Sequence, residues 1–324
     1  MEVKMNEAIG SVAFGEGEWA VILGGSSGFG LATAQKLAAH GMNLFLVHRD
    51  RRAQLRRVEP EFEAIRAHGT TLVTKNADAL APERRLELMD ELETVLDGGR
   101  VRVLLHSIAF GNLKLLAVER PRSGRIPDGG EALAKELGIE VNQLKGAVDR
   151  LFESGIDELE GLASKPEYGG VLDADDMART IYCMGTSILD WTQDLLTRNL
   201  FADDARIFGL TSEGNTVAWK GYAAVAAAKV SLESVARAIA MECAPYGLRC
   251  NVIQAGVTET PALAAIPGST QIKAGARRRN PFGRLTTPQD VANVIYLLSL
   301  PEAGWINGEV IRVDGGEHIS GSYV

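Results

Sequence analysis

The run WAVILGGSSGFG, residues 19–30, decides the fold class. Its first five residues, Trp19 to Leu23, are apolar and read as a buried strand. Gly24, Gly28 and Gly30 then space a tight turn, with Ser26, Ser27 and Phe29 between them. A helix is expected next, over Ala32–His40, with Gly41 ending it. Missing side chains let a backbone approach a pyrophosphate, and a helix N-terminus supplies N–H donors and positive potential. A glycine motif between a strand and a helix, near the chain start, therefore reads as a dinucleotide site.

The same rhythm continues outward. Strands are expected at Asn43–His48, Leu72–Thr74, Val101–His106, Arg206–Thr211, Arg249–Gln254 and Glu309–Val313, with helical stretches between them and almost no hairpin signals. That alternation predicts an α/β architecture, a Rossmann-type doubly wound parallel sheet of about seven strands covered on both faces. The whole chain, 1–324, is expected to form one such domain. Residues 111–171 break the pattern. Pro121–Gly130 (PRSGRIPDGG) is rich in breakers, and Val141, Leu144, Val148 and Leu151, then Ile156, Leu159 and Leu162, recur at helical spacing. A helical insertion is expected there, serving as a lid, a subdomain or an oligomer contact.

Composition narrows the function. Hydrophobic residues make up 46% of the 324, enough for a sizeable core, and the net charge of −8 argues against nucleic acid as the main partner. Three widely spaced cysteines, Cys183, Cys243 and Cys250, lack metal-ligand spacing and read as reduced thiols of a cytoplasmic protein. The start, MEVKMNEAIG, lacks the layout of a signal peptide, and the apolar runs are too short to span a bilayer.

The second strand ends in His48-Arg49-Asp50-Arg51-Arg52. In dinucleotide folds this point reads the adenosine ribose: an acidic residue accepts from the 2′-hydroxyl of NADH, whereas a guanidinium pairs with the 2′-phosphate of NADPH. Arg49 favours NADPH, with Arg51 or Arg52 as helpers, and Asp50 keeps NADH as the alternative. Asp78, followed by Ala79, is placed to accept from the adenine amino group. YAAVAAAK, Tyr222 to Lys229, sets a phenol and an ammonium seven residues apart on an alanine-rich run. On a helix both lie on one face, about 10 Å apart along the axis, a spacing that suits one extended ligand.

These residues together resemble the short-chain dehydrogenase/reductase superfamily: GGSSGFG, the Tyr/Lys run and the closing VDGG (Val313–Gly316) fall in the family's order. Most members carry the catalytic tyrosine four residues before the lysine, a position held here by Val225. The longer spacing, together with HSIAFG at His106–Gly111, resembles the divergent branch containing enoyl-(acyl-carrier-protein) reductase. That resemblance implies hydride transfer to the β-carbon of a 2-enoyl thioester, with Tyr222 donating to the displaced enolate oxygen and Lys229 bonding the nicotinamide ribose. Further positions carry over by motif. Ser107, Ile108 and Ala109 would line the cofactor. Gly256, Val257 and Thr258 would meet the carboxamide, and Thr260 the pyrophosphate. Phe110, Ala262 and Ile266 would contact the acyl chain.

Two departures matter. The branch usually has a second tyrosine ten residues before the catalytic one; here Ser212 stands there, coinciding with the serine of ordinary ketoreductases, so carbonyl reduction is the alternative. Tyr168 of the insertion is a candidate substitute for the missing phenol. A catalytically silent NADP sensor is the reading of another class, against which the retained Tyr222 and Lys229 weigh. The basic run at Arg277–Arg279, on an otherwise acidic chain, suggests docking of an acidic acyl-carrier protein. Related enzymes imply a homo-oligomer, a tetramer or a dimer.

Overall fold

Seven parallel strands lie side by side in the order β3-β2-β1-β4-β5-β6-β7 in a computed structural model that describes residues 13–118, 128–162 and 166–321. The strands are β1 (Glu18–Leu23), β2 (Asn43–His48), β3 (Leu72–Asn76), β4 (Arg100–His106), β5 (Phe201–Ser212), β6 (Arg249–Ala255) and β7 (Val310–Val313). Leu23, at the end of β1, pairs with Val47 on one side and His106 on the other, so three strands end level and open a crevice at their C-terminal edge.

Helices cover both faces. On one, α1 (Gly28–Ala38), α2 (Arg52–Arg66) and α11 (Pro288–Ser299) bury Leu37, Phe62 and Ile295 with Leu44, Leu46 and Phe208 of the sheet. On the other, α3 (Pro82–Leu96), α7 (Ser187–Thr197) and α8 (Ala223–Glu242) pack Leu92, Trp191 and Leu232 against Val21, Phe45 and Ile207. Near-continuous apolar strands are what a sheet buried on both faces requires. The expected strands recur with ends shifted by one or two residues except β5, which starts five residues early. Its leading ADDA is too polar to read as strand, and the register against β4 shifts there between Val101 and Val103. Helix α1 begins at Gly28 rather than Ala32 and stops at Ala38, before the left-handed Gly41 (φ 93°).

The insertion contributes α4 (Gly129–Leu137) and α5 (Val141–Glu153), with a short 3-10 turn at Glu160–Leu162. Of the predicted breaker loop, Pro121–Pro127 lies outside the described residues, as does the chain start expected to lack a signal peptide. α4 is capped by Asp128, whose carboxylate accepts from Gly130 N–H at 3.0 Å. The chain then returns through a parallel bridge between Leu115 and Val171 into α6 (Ala174–Ile181) and a π-helical turn at Tyr182–Thr186. Two short helices follow β6: α9 (Pro261–Ala264) and α10 (Ser269–Arg279). The insertion packs on α10, with Val148 and Phe152 of α5 meeting Ala274. Beside this contact Arg277 forks onto Asp157, Nε to Oδ2 at 2.5 Å and Nη2 to Oδ1 at 2.6 Å. Among the described residues no helix is long and apolar enough to cross a membrane.

The Arg277–Asp157 fork joins two segments 120 residues apart. Removing one partner of a fully buried pair costs about 3–5 kcal/mol; because the Arg277 side chain is 28% exposed, Asp157→Asn is expected to cost about 1–3 kcal/mol. The loss should fall on the insertion. Limited proteolysis followed by mass spectrometry is expected to cut the variant there earlier than the wild type, with other cleavage sites unchanged. Equal cleavage rates in the two proteins would show that the pair does not hold the insertion in place.

Candidate functional site

The crevice above β1, β4, β5 and β6 holds a cavity of 560 Å³. Its floor is set by glycines. Gly24 adopts φ +89°, and a Cβ there would stand 2.4 Å from the Ser107 carbonyl oxygen. At Gly30 a Cβ would stand 2.1 Å from the carbonyl oxygen of Gly24, so the first turn of α1 rests directly on the loop. Gly28, at φ +51°, faces Thr260 across the cleft. The first-turn N–H groups of α1 have no Ser27 side-chain cap, and Ser26, Ser27, Gly28 and Phe29 line the cavity. Such a cradle fits the pyrophosphate of a dinucleotide. Gly30 does not line the cavity, nor do the suggested helpers Arg51 and Arg52; the part of Gly30 is the close packing of helix on strand.

At the adenosine end, Arg49 and Asp78 meet at 3.0 Å, both side chains substantially exposed. The other Asp78 oxygen accepts from Leu80 N–H at 3.0 Å, so the carboxylate expected to receive an adenine amino group already has partners in the chain. His48 and Ala79 line the wall beside it. Asp50 sends its carboxylate to the His48 ring, 2.8 Å from Nδ1. Burial lowers the His48 pKa against the opposing pull of that carboxylate. Phe110, expected at the acyl chain, is stacked between guanidiniums: Arg49 lies 5.0 Å and Arg179 5.3 Å from its ring centre. A cation attracted to the ring face explains these contacts, and Phe110 also lines the cavity. Arg179, four residues before Cys183, carried no signal in the sequence.

The reacting end gathers Ser212, Tyr222 and Lys229. Tyr222 is not inside the helix as its spacing implied. It is the N-cap residue of α8, with φ −106° and ψ 4°, and its carbonyl accepts from Ala226 N–H at 2.9 Å. The Tyr222 hydroxyl stands 3.4 Å from Ser212 Oγ, and the Trp219 ring meets it edge-on at 5.3 Å. Burial raises its pKa, and the nearby Glu213 carboxylate adds to the rise while the Ser212 contact opposes it, so the phenol stays protonated at neutral pH. Lys229 is buried in the second turn of α8 and donates to the Leu210 carbonyl at 2.7 Å. Burial lowers its pKa to about 8, with Glu233 opposing. His106, at the end of β4, is neutral: burial, with Lys229 nearby, lowers its pKa to about 3, and its Nε2 lies 2.8 Å from Ser187 Oγ.

Ser107, Ile108 and Ala109 line the middle of the cleft, with Gly256, Val257, Thr258 and Thr260 opposite. Val257 departs from expectation. Its N–H donates to Glu317 at 3.1 Å and its carbonyl accepts from Thr286 at 3.2 Å, so the backbone groups expected to meet a carboxamide are already engaged. Thr260 caps α9, accepting from Leu263 N–H at 3.2 Å. The acyl end is apolar: besides the expected Ala262 and Ile266, it takes Leu113, Met184, Leu263 and Ile272. Tyr168 is not among the lining residues; its ring packs under Gly221, where a Cβ would stand 2.3 Å from it, and so supports the turn that ends in Tyr222. The basic run is partly internal: Arg277 holds Asp157, and Arg279 holds Glu213 and Glu317. Two of the three guanidiniums expected to meet a carrier protein thus bind carboxylates of this chain.

The cysteines are free thiols, Cys183 and Cys250 buried and Cys243 partly so. Lys229 offers a direct test of the site's burial. Its ammonium is less favoured in the fold than in the open chain, so between about pH 8 and 10.5 the folded state binds fewer protons. Stability from this residue therefore rises with pH across that window, and the cost is fully present below it. Thermal melting should show Lys229→Met gaining over wild type below pH 8, with the gap closing toward pH 10.5. A gap constant with pH would mean that Lys229 titrates as an exposed lysine.

Comparison with known proteins accords with this geometry. The family profile described as "short chain dehydrogenase" matches residues 18–116, and the one described as "Enoyl-(Acyl carrier protein) reductase" matches residues 160–318. An enoyl-(acyl-carrier-protein) reductase (NADH) of Aquifex aeolicus is 32% identical over 166 residues, 50% of this chain and 60% of that one. A 3-oxoacyl-(acyl-carrier-protein) reductase of the same organism is 27% identical over 197 residues, 56% of this chain and 76% of that one. Two of the curated relatives are spanned to only 42% and 60% of their length. In three dimensions, the crystal structure of the Aquifex aeolicus enoyl reductase (NADH) aligns with a TM-score of 0.68 at 24% identity, over 95% of this chain and 99% of that one, a likeness of fold. The two profile matches lie on either side of α4 and α5, each overlapping one end of the insertion, and with the parallel sheet and glycine cradle they place the chain in the short-chain dehydrogenase/reductase superfamily of oxidoreductases.

Proposed function

We propose that the chain reduces the 2,3-double bond of a 2-enoyl thioester with NADPH as reductant. The observation that carries this reading is the arrangement around Lys229. Val225, one turn before it, presents an apolar side chain to the cavity, and the tyrosine lining the cavity is Tyr222, at the helix tip. A ketone needs its proton beside the carbon that receives hydride. An enoyl thioester takes hydride at the β-carbon and places the negative charge further along, on the thioester oxygen. A phenol set back to the tip of α8 suits that displaced oxyanion.

A bound nicotinamide supplies the hydride. Within the chain, Tyr222 remains a neutral donor because its pKa is raised, and it stabilises the enolate oxygen by a hydrogen bond. Lys229 remains largely an ammonium at pH 7 and adds positive potential while anchored to Leu210. The apolar wall of Leu113, Met184, Leu263, Ile266 and Ile272 excludes water and accepts an acyl chain. Carbonyl reduction is the second reading, favoured by the 3.4 Å approach of Ser212 Oγ to the Tyr222 hydroxyl, which lets both bond one carbonyl oxygen.

Crotonyl and acetoacetyl thioesters separate the two readings. Loss of nicotinamide absorbance with formation of the saturated thioester is expected from the first, and little from the second. Tyr222→Phe should lower kcat by about 100-fold or more with cofactor binding retained. Turnover of acetoacetyl thioester alone would overturn enoyl reduction.

NADPH is favoured because Arg49 presents a half-exposed guanidinium at the end of β2, while the acidic alternative, Asp50, is turned toward His48. Arg49→Ala is expected to raise KM for NADPH by about 10-fold or more and leave KM for NADH nearly unchanged. Preference of the wild type for NADH, with a neutral mutation, would reverse the assignment.

A further inference from the structure

Glu213 directly follows Ser212 and lines the cavity, yet it is a carboxylate only 7% exposed. An anion here lies beside the phenol that must stabilise a developing oxyanion. Arg279, at the C-terminal end of α10, meets it in a fork: Nη2 lies 2.7 Å from Oε1 and Nη1 3.3 Å from Oε2. The same Nη2 donates to Glu317 at 3.0 Å, and the other oxygen of Glu317 accepts the Val257 N–H. Glu317 is 1% exposed, and burial raises its pKa. It thus takes up a proton more readily than an ordinary glutamate, while Glu213 receives two contacts from the guanidinium. Among the described residues, Tyr222 and His318 also face Glu213, the Nδ1 of His318 lying 4.0 Å from Oε2.

We propose that Arg279 is a positioning residue that cancels the charge of Glu213 beside the reacting oxygen, and so permits negative charge to form at Tyr222. In a low-dielectric site an uncancelled carboxylate raises the energy of a nearby oxyanion far more than it would in water. The same guanidinium ties three segments together: the end of β5, the Gly256–Thr258 loop through Glu317, and α10, whose Ile272 lines the acyl end. The screen is therefore in place only when α10 is seated. The proposal rests on Tyr222 facing an oxyanion, which holds for an enolate or an alkoxide alike.

The test is a double-mutant cycle with whichever thioester the wild type turns over. Arg279→Met is expected to lower kcat by about 10-fold or more, with KM for the nicotinamide within about threefold. Adding Glu213→Gln to Arg279→Met should recover at least about 10-fold of kcat. A role limited to holding the fold would leave the second substitution unable to restore activity, and that result overturns the proposal. If Arg279→Met does not fold, the same cycle is run with Arg279→Gln, whose neutral amide can still donate to one carboxylate. Tyr222→Phe keeps the two ideas apart. A harmless Tyr222→Phe removes the oxyanion reading itself, whereas a crippling one beside a flat Arg279 cycle removes only the screening.

Discussion

The approach of the Gly24 backbone to the Ser107 carbonyl is the constraint on which the site depends. No residue with a Cβ fits between them, and Gly30 repeats the demand one turn later against Gly24 itself. These contacts draw the loops after β1 and β4 together and seat the N-terminus of α1 at the crevice. Because β1, β2 and β4 end level, every loop that leaves them enters the same space. A side chain at any of these points would separate helix from strand and displace the donors that make the crevice a phosphate site.

A second layer of organisation is ionic and joins segments far apart in sequence. α10 carries Arg277 to the insertion and Arg279 to the end of β5 and the C-terminal turn. An apolar contact of Val148 and Phe152 with Ala274 backs the first of these. The insertion therefore bears on the cavity by holding the helix whose Ile272 lines it, and the bridge opposite Val171, in which Leu115 N–H donates to the Gly170 carbonyl and Leu172 N–H to the Leu115 carbonyl, brings its ends together.

The layers were legible where sequence neighbours decide them. WAVIL, NLFLVH and RCNVIQ announce buried strands by composition alone, and GGSSGFG announces its turn because glycine spacing is local. The start of β5 escaped because Asp203 and Asp204 hide a strand whose edge pairing is set by β4. The basic run at Arg277–Arg279 looked like a docking patch because its carboxylate partners stand about 40 to 120 residues away. Phe110 was assigned by motif, whereas its ring follows two guanidiniums that no local pattern connects to it. Glu213 left one overlooked trace: an acidic residue directly after the buried end of β5, which demands a cation somewhere in the fold.

The position of Tyr222 gains meaning from the same electrostatics. As the N-cap of a 20-residue helix it stands at the positive end of the α8 dipole, where an anion is favoured. Glu213 opposes that field and Arg279 restores it, while burial keeps the phenol protonated and leaves Lys229 cationic at neutral pH. The N-cap position thus gives Tyr222 more than reach: it sets the residue where the backbone itself favours negative charge.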